Sequence, residues 1–327
     1  MKVVIPLAGF GTRLRPHTYT VPKPLIPVAG KAVLGHILDK LLDLEIDEVI
    51  FIIGYLGDQI RDYVEANYHF PARYIEQKEL KGQAHALYLT REHMTGPVLI
   101  IFVDTIFEAD ISALSTVRSD GIIYVKEVED PRRFGVVVTE GSFVTKLVEK
   151  PSTPVSSLAV IGVYYLNDSQ MLMEGIAELI SKDIKTKGEY FLADALQLMI
   201  NRGAKFEART VEVWEDCGKP ETLLHTNRHL LEHGAAQEIE TENSVLIAPV
   251  YVEQSAMIKD SVVGPYVSIA EGVTIVRSIV QDSIINESAH IEGANLNQSL
   301  IGKDAHVRGS AQRLNVGDTS HVSLVGE

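Results

Sequence analysis

The chain has 327 residues, enough for about two domains at roughly 100–200 residues each, and its 46% hydrophobic and 23% charged content suffices for a real core. Its 30 Lys and Arg against 44 Asp and Glu leave a net charge of −14, the wrong sign for non-specific nucleic-acid binding. The single cysteine, Cys217, excludes an internal disulfide and a multi-cysteine zinc or iron–sulfur site, and fits a reducing, cytoplasmic setting.

Short β-branched runs alternate with helical stretches from the start. Lys2–Leu7 reads as a buried strand; the same segment loosely resembles a signal peptide, but Arg13 and Arg15 stand where a cleavage region belongs. Ala32–Leu44 carries Val33, Leu34, Ile37, Leu38, Leu41 and Leu42 at helical spacing. Strands are expected at Glu48–Ile53, Ala72–Ile75 and Val98–Val103, with helices near Asp58–Ala66 and Ala84–Thr90. Val98–Val103 is the longest apolar run, far short of the roughly 20 residues of a membrane span, so no membrane partner is expected. This alternation predicts an α/β fold with a Rossmann-like, mostly parallel mixed sheet, whose ligands sit beyond the carboxyl ends of the strands. Gly121–Lys126, Gly135–Thr139, Ser142–Val148 and Ala159–Tyr165 read as strands without long helices between them, an extension forming one wall of the site. Helices return at Gln170–Ile180, Phe191–Asn201 and Pro220–His233.

After about Ala236 the period changes. Segments Val252–Ile258, Ile269–Ile275, Ile285–Ile291, Ile301–Val307 and Val316–Val322 each begin and end on an aliphatic residue, with starts 17, 16, 16 and 15 residues apart. This resembles the hexapeptide repeat of a short left-handed β-helix, in which stacked coils bury one aliphatic column. The expected domains are therefore 1–235 and 236–327.

The strongest local signal is the stretch from Ile5 to Lys31. Residues 1–38 hold Lys2, Arg13, Arg15, Lys23 and Lys31 but no Asp or Glu, a basic island in an acidic chain. Gly9 and Gly11 let backbone N–H groups approach an anion, Arg13 offers a fork of donors, and Lys23 lies between Pro22 and Pro24. The Walker loop is excluded by the missing Gly-Lys-Ser/Thr. The dinucleotide fingerprint is excluded because Leu14 takes the third-glycine position and no acid appears before Asp39.

The longer string, Ala8-Gly9-x-Gly11-Thr12-Arg13-Leu14-x-Pro16 followed by Pro22-Lys23-Pro24-Leu25, resembles the signature of the sugar-1-phosphate nucleotidylyltransferases. Further segments share the resemblance: Gln77–Ala86, Val103-Asp104-Thr-Ile-Phe107, Phe134–Val137, Val148-Glu149-Lys150-Pro151, Ala159–Tyr164, Glu189–Asp194 and Trp214-Glu-Asp216-Cys-Gly218. It covers about residues 1–235, and the repeats extend it to forms carrying a β-helix tail.

The resemblance implies an enzyme that transfers a nucleotidyl group from a pyrimidine nucleoside triphosphate, UTP or dTTP, to a hexose 1-phosphate such as glucose 1-phosphate, releasing pyrophosphate. Arg13, Lys23 and Lys150 would be catalytic. Leu7, Ala8, Gly9, Gly11, Thr12, Gln77, Gly82 and Gln83 would bind the nucleotide. Gly135, Glu149 and Val160 would bind the sugar, and Asp104 and Asp216 would hold Mg²⁺. A homo-oligomer is expected.

Three departures stand out: Val103 replaces the usual glycine before the first metal aspartate, Ala193 replaces a threonine, and the glycine turn is one residue shorter than the Gly-Gly-x-Gly form. Two alternatives compete. One is an acyltransferase in the tail, suggested by His290, His306 and His321, although their equivalent repeat positions suggest a surface ladder at coil corners. The other is a non-catalytic sensor or scaffold, which would be expected to lose the charged groups that this chain keeps.

Overall fold

The computed structural model describes residues 1–309, so the repeat Val316–Val322 and His321 lie outside the described residues. The chain divides into two compact units, Met1–Thr226 and a second beginning at Asn227. No described helix is long and apolar enough to cross a membrane.

The first unit is built on strands β1 (Lys2–Pro6), β2 (Glu48–Ile53), β3 (Ala72–Glu76), β4 (Val98–Ile101), β5 (Thr105–Glu108), β6 (Gly121–Glu127), β7 (Gly135–Glu140), β8 (Phe143–Glu149), β9 (Leu158–Leu166), β10 (Phe206–Thr210) and β11 (Val213–Asp216). Nine of them form one mixed sheet in the order β3-β2-β1-β4-β9-β6-β10-β8-β7. The first four are parallel, and Val3, Val4, Ile5, Phe51 and Ile100 among them are fully buried. Burial on both faces is why β1, β2 and β4 are continuous apolar runs, while β3 at the sheet edge is more polar and largely exposed.

The stretch expected to shape one wall of the site joins this sheet. Strand β9 inserts antiparallel beside β4, with Tyr164 opposite Ile100, and β6 follows it. Antiparallel strands can enter a parallel sheet without a crossover helix, which is why no long helices separate them. Strands β7, β8 and β9 contribute Gly135, Leu147, Glu149 and Val160 to the wall of a cavity.

Helices α1 (Val33–Asp39), α2 (Gly57–Asn67), α3 (Gln83–Tyr88), α4 (Ser169–Ser181) and α5 (Leu192–Asn201) complete the unit. Helix α1 stops earlier than its apolar pattern suggests. Beyond it the backbone tightens to i→i−3 bonds, such as Leu41 N–H to the Leu38 carbonyl at 3.0 Å, and Leu42 is left exposed.

In the second unit, short strands stack into three parallel four-stranded sheets, one per face of a β-helix. Ile258, Ile275, Ile291 and Val307 stand in register on successive coils, as do Val252, Ile269, Ile285 and Ile301 on the next face. The corners need left-handed backbone: Asn243, Asp260 and Arg277 adopt φ of 45°, 51° and 49°, and Gly293 follows at 62°. Serine hydroxyls bridge the coils, Ser261 Oγ accepting from Ser278 N–H and Ser278 Oγ from Ala294 N–H, each at 3.1 Å. His290 and His306 pair on a strand rung, ring centroids 5.7 Å apart, rather than at a corner.

Candidate active site

The glycine loop leaves the carboxyl end of β1, where Leu7 N–H bonds the Ile52 carbonyl at 2.7 Å. Its two glycines differ in kind. Gly11 adopts φ +62°, and a Cβ there would fall 2.8 Å from Lys23 Cβ. Gly9 has no atom within 4 Å of that position, so nothing in the protein requires its bareness. After Gly11 a short 3₁₀ turn, Thr12–Leu14, carries Arg13. The hydroxyl of Thr18 donates to the Gly11 carbonyl at 2.9 Å and holds the loop.

Asp104 and Asp216 are brought together by the two-stranded ribbon of β5 and β11, in which Thr105 is paired with Asp216. Cys217 N–H closes the ribbon by bonding the Asp104 carbonyl at 2.8 Å. Oδ1 of Asp216 accepts from Gly218 N–H at 2.7 Å. Lys23 Nζ stands 3.9 Å from Asp104 Oδ2, with the lysine well covered and the carboxylate half open. Burial raises the Cys217 thiol to about 12, so it remains protonated beside Asp216 at neutral pH.

Two cavities adjoin here. The first, about 430 Å³, is lined by Leu7, Ala8, Gly9, Gly11, Thr12, Gln77, Gly82 and Gln83, together with Arg13, Lys23 and Asp104. Gln77 is buried, and its Nε2 donates to the Glu79 carbonyl at 3.2 Å, leaving Oε1 as an acceptor. Gly82 adopts φ +111°, where a Cβ would meet the Tyr190 carbonyl oxygen at 2.5 Å. Val103, at the departure from the glycine pattern, also lines this cavity.

The second cavity, about 280 Å³, is lined by Gly135, Glu149, Lys150 and Val160, with Ala193, Trp214 and Asp216. Gly135 faces Glu149 across β7 and β8, and a Cβ on Gly135 would fall 2.9 Å from Glu149 Oε2. Lys150 Nζ is 3.4 Å from Glu149 Oε1 and 4.9 Å from the Phe191 ring centroid. Burial raises the Glu149 carboxyl above its ordinary range; Lys150 offsets this in part, and Asp194 adds to it.

The two cavities share Arg13, Gln83, Phe102 and Asp104. Phe102, Arg133, Tyr164 and Glu189 also line them; Tyr164 and Glu189 lie in segments that carry the resemblance, without a role of their own, while Phe102 and Arg133 stand outside those segments. Phe102 lies within the apolar run Val98–Val103 and reads as core, and Glu189 reads as part of a helix start. Only the doubled arginine before Phe134-Gly135 offered a signal, for Arg133.

No group of three or more metal-ligating side chains occurs among the described residues. Two neighbouring carboxylates do fit a hard cation that draws its remaining ligands from phosphate oxygens and water.

Comparison with known proteins agrees with this geometry. The sequence profile of the nucleotidyl transferase family matches residues 2–233. A glucose-1-phosphate thymidylyltransferase of Streptomyces griseus is 30% identical, over 99% of each chain. The bifunctional protein GlmU of Methanocaldococcus jannaschii is 34% identical over 79% of this chain, which spans only 61% of that relative. A UDP-glucose pyrophosphorylase solved with UDP-glucose superposes with a TM-score of 0.63 at 24% identity, covering 71% of this chain and 98% of that one, which shows the shared fold. With its profile match spanning the glycine loop, both aspartate segments and the lysine–glutamate pair, the chain belongs to the nucleotidyl transferase family.

Proposed function

We propose that the protein joins a pyrimidine nucleoside triphosphate, UTP or dTTP, to a hexose 1-phosphate, with glucose 1-phosphate as the leading candidate. The observation that carries this reading is the pair of adjoining cavities sharing Arg13, Gln83, Phe102 and Asp104, room for two substrates that meet at one reacting centre. The likeness to the glucose-1-phosphate thymidylyltransferase of Streptomyces griseus supports it.

In this reading a phosphate oxygen of the sugar 1-phosphate attacks the α-phosphorus. The P–O bond to the β-phosphate breaks, and pyrophosphate leaves with that electron pair. The nucleophile is already ionised, so no general base is needed; positioning and charge neutralisation supply the rate. Arg13 and the backbone N–H groups of the glycine loop hold the β- and γ-phosphates. Lys23 spans the reacting centre. Lys150 holds the sugar phosphate, while Glu149 accepts hydrogen bonds from the sugar hydroxyls. Gln77 Oε1 accepts N3–H of uracil or thymine, which cytosine lacks. Asp104 and Asp216 would hold Mg²⁺, which when bound supplies positive charge to the phosphate oxygens.

The test is a pyrophosphate-release screen of the common nucleoside triphosphates against a panel of sugar 1-phosphates. Release with UTP or dTTP that requires a hexose 1-phosphate is expected. Release without the sugar, or with CTP alone, overturns the reading.

A further inference from the structure

The nucleotide cavity contains two carboxylates, Asp104 and Glu189. Asp104 lies beside Lys23 at the end where Arg13 and Gly218 gather. Glu189 joins the lining next to Gly82, through its neighbour Tyr190. The Tyr190 carbonyl accepts from Ala84 N–H and its N–H donates to the Lys81 carbonyl, both at 2.9 Å, so the residue after Glu189 is stapled on either side of Gly82.

The turn that carries Glu189 is well defined. Thr186 and Glu189 exchange both backbone hydrogen bonds, at 3.0 and 3.1 Å, and the two residues between them, Lys187 and Gly188, have φ of +52° and +87°. Positive φ at both central positions marks a tight turn with its flanking residues fixed. Glu189 is exposed, and its backbone position is set by the turn.

A carboxylate repels a triphosphate, so its place in this cavity needs a partner other than phosphate. Between a base read by Gln77 and phosphates gathered by Arg13 lies the ribose, whose hydroxyls are hydrogen-bond donors. An ionised carboxylate accepts two such bonds at once.

Resting on the nucleotidyl-transfer reading, we infer that Glu189 is the ribose-reading residue: its carboxylate accepts the 2′-hydroxyl and makes the protein prefer ribonucleotides over 2′-deoxyribonucleotides. UTP and dUTP present the same base and the same phosphates, so their comparison isolates that hydroxyl. Losing a hydrogen bond to a charged group costs roughly 10- to 150-fold in affinity.

The experiment is titration calorimetry of UTP and dUTP with the full chain and Mg²⁺, without sugar phosphate, so that no turnover is required. The wild-type protein is expected to bind UTP at least about tenfold more tightly than dUTP. Glu189→Ala should bring the two within about twofold, and Glu189→Gln, which keeps an acceptor but no charge, should fall between them. Equal wild-type affinities, or a ratio that survives Glu189→Ala, overturn the inference. A parallel pyrophosphate assay separates this from the broader reading: a Glu189-dependent binding ratio without transfer to any sugar 1-phosphate sinks the transferase reading and leaves the ribose assignment standing.

Discussion

Gly218 leaves room for Arg13. A Cβ on Gly218 would lie 2.9 Å from Arg13 Nη2 and 2.7 Å from Asp216 Oδ1, so the guanidinium rests against bare backbone beside the second aspartate. Gly218→Ala should push the guanidinium aside without removing any charge. A misplacement of about 1 Å can cost roughly 100-fold, and a fall of about 10- to 100-fold in kcat/KM for the nucleoside triphosphate is expected. Steady-state kinetics with the nucleotide varied checks it; unchanged kinetics would remove Arg13 from the phosphate clamp.

The two loop glycines should separate on substitution. Gly11→Ala places a side chain at φ +62° against Lys23 and should lower stability by about 1–3 kcal/mol. Gly9→Ala meets nothing in the protein and should leave urea unfolding unchanged while weakening nucleotide binding. If Gly9→Ala binds nucleotide normally, the loop is not where the phosphates lie.

Glu149 ties stability to pH. Burial raises its folded-state affinity for a proton above that of the unfolded chain. The folded form then holds more protons than the unfolded one, and this group lowers stability as pH rises from the ordinary carboxylate range through the raised value. Glu149→Gln should therefore raise the Tm at pH 7, with the gain shrinking toward pH 4.5, while kcat/KM for the sugar 1-phosphate falls about 10- to 150-fold. Thermal melts at the two pH values, with kinetics at neutral pH, test both halves.

Asp216→Asn should keep the ribbon, because an amide oxygen still accepts from Gly218 N–H. It removes one of the two neighbouring negative charges. The Mg²⁺ concentration giving half-maximal rate should rise, with kcat down by about 100-fold or more at fixed metal. A Mg²⁺ titration of the rate decides it, and an unchanged titration would end the metal assignment.

In the tail, Ile275 is fully buried between Ile258 and Ile291. Ile275→Ala should cost about 2–5 kcal/mol locally, read as faster amide hydrogen exchange in the coils on either side. Unchanged exchange there would mean that the column does not hold the coils together.

The parallel strands and the β-helix were legible from local apolar pattern: continuous runs such as Val3-Val4-Ile5 in one case, and the spacing that repeats through Ile258, Ile275 and Ile291 in the other. The site was legible where charge and glycine cluster in one segment, from Gly9 to Lys23. It was illegible where distant segments meet. Strands Thr105–Glu108 and Val213–Asp216 are too short to show a period, so nothing local revealed that Thr105 is paired with Asp216. Strand Phe206–Thr210, interrupted by Glu207 and Arg209, has no apolar run to mark it, yet it pairs in parallel with Gly121–Glu127 inside the main sheet.

The left-handed corners of the tail set the size of permissible change in its length. Asn243, Asp260, Arg277 and Gly293 mark the same bend on four successive coils, 16 or 17 residues apart. Val252, Ile269 and Ile285 stay in one inward ladder although their spacings are 17 and 16 residues, so a one-residue difference is taken up at a corner, while adding a whole coil leaves each neighbour's pairing intact. Length in this region is therefore quantised: the tail can grow or shrink by complete turns, and an insertion of any other size must bulge out as a loop at a corner.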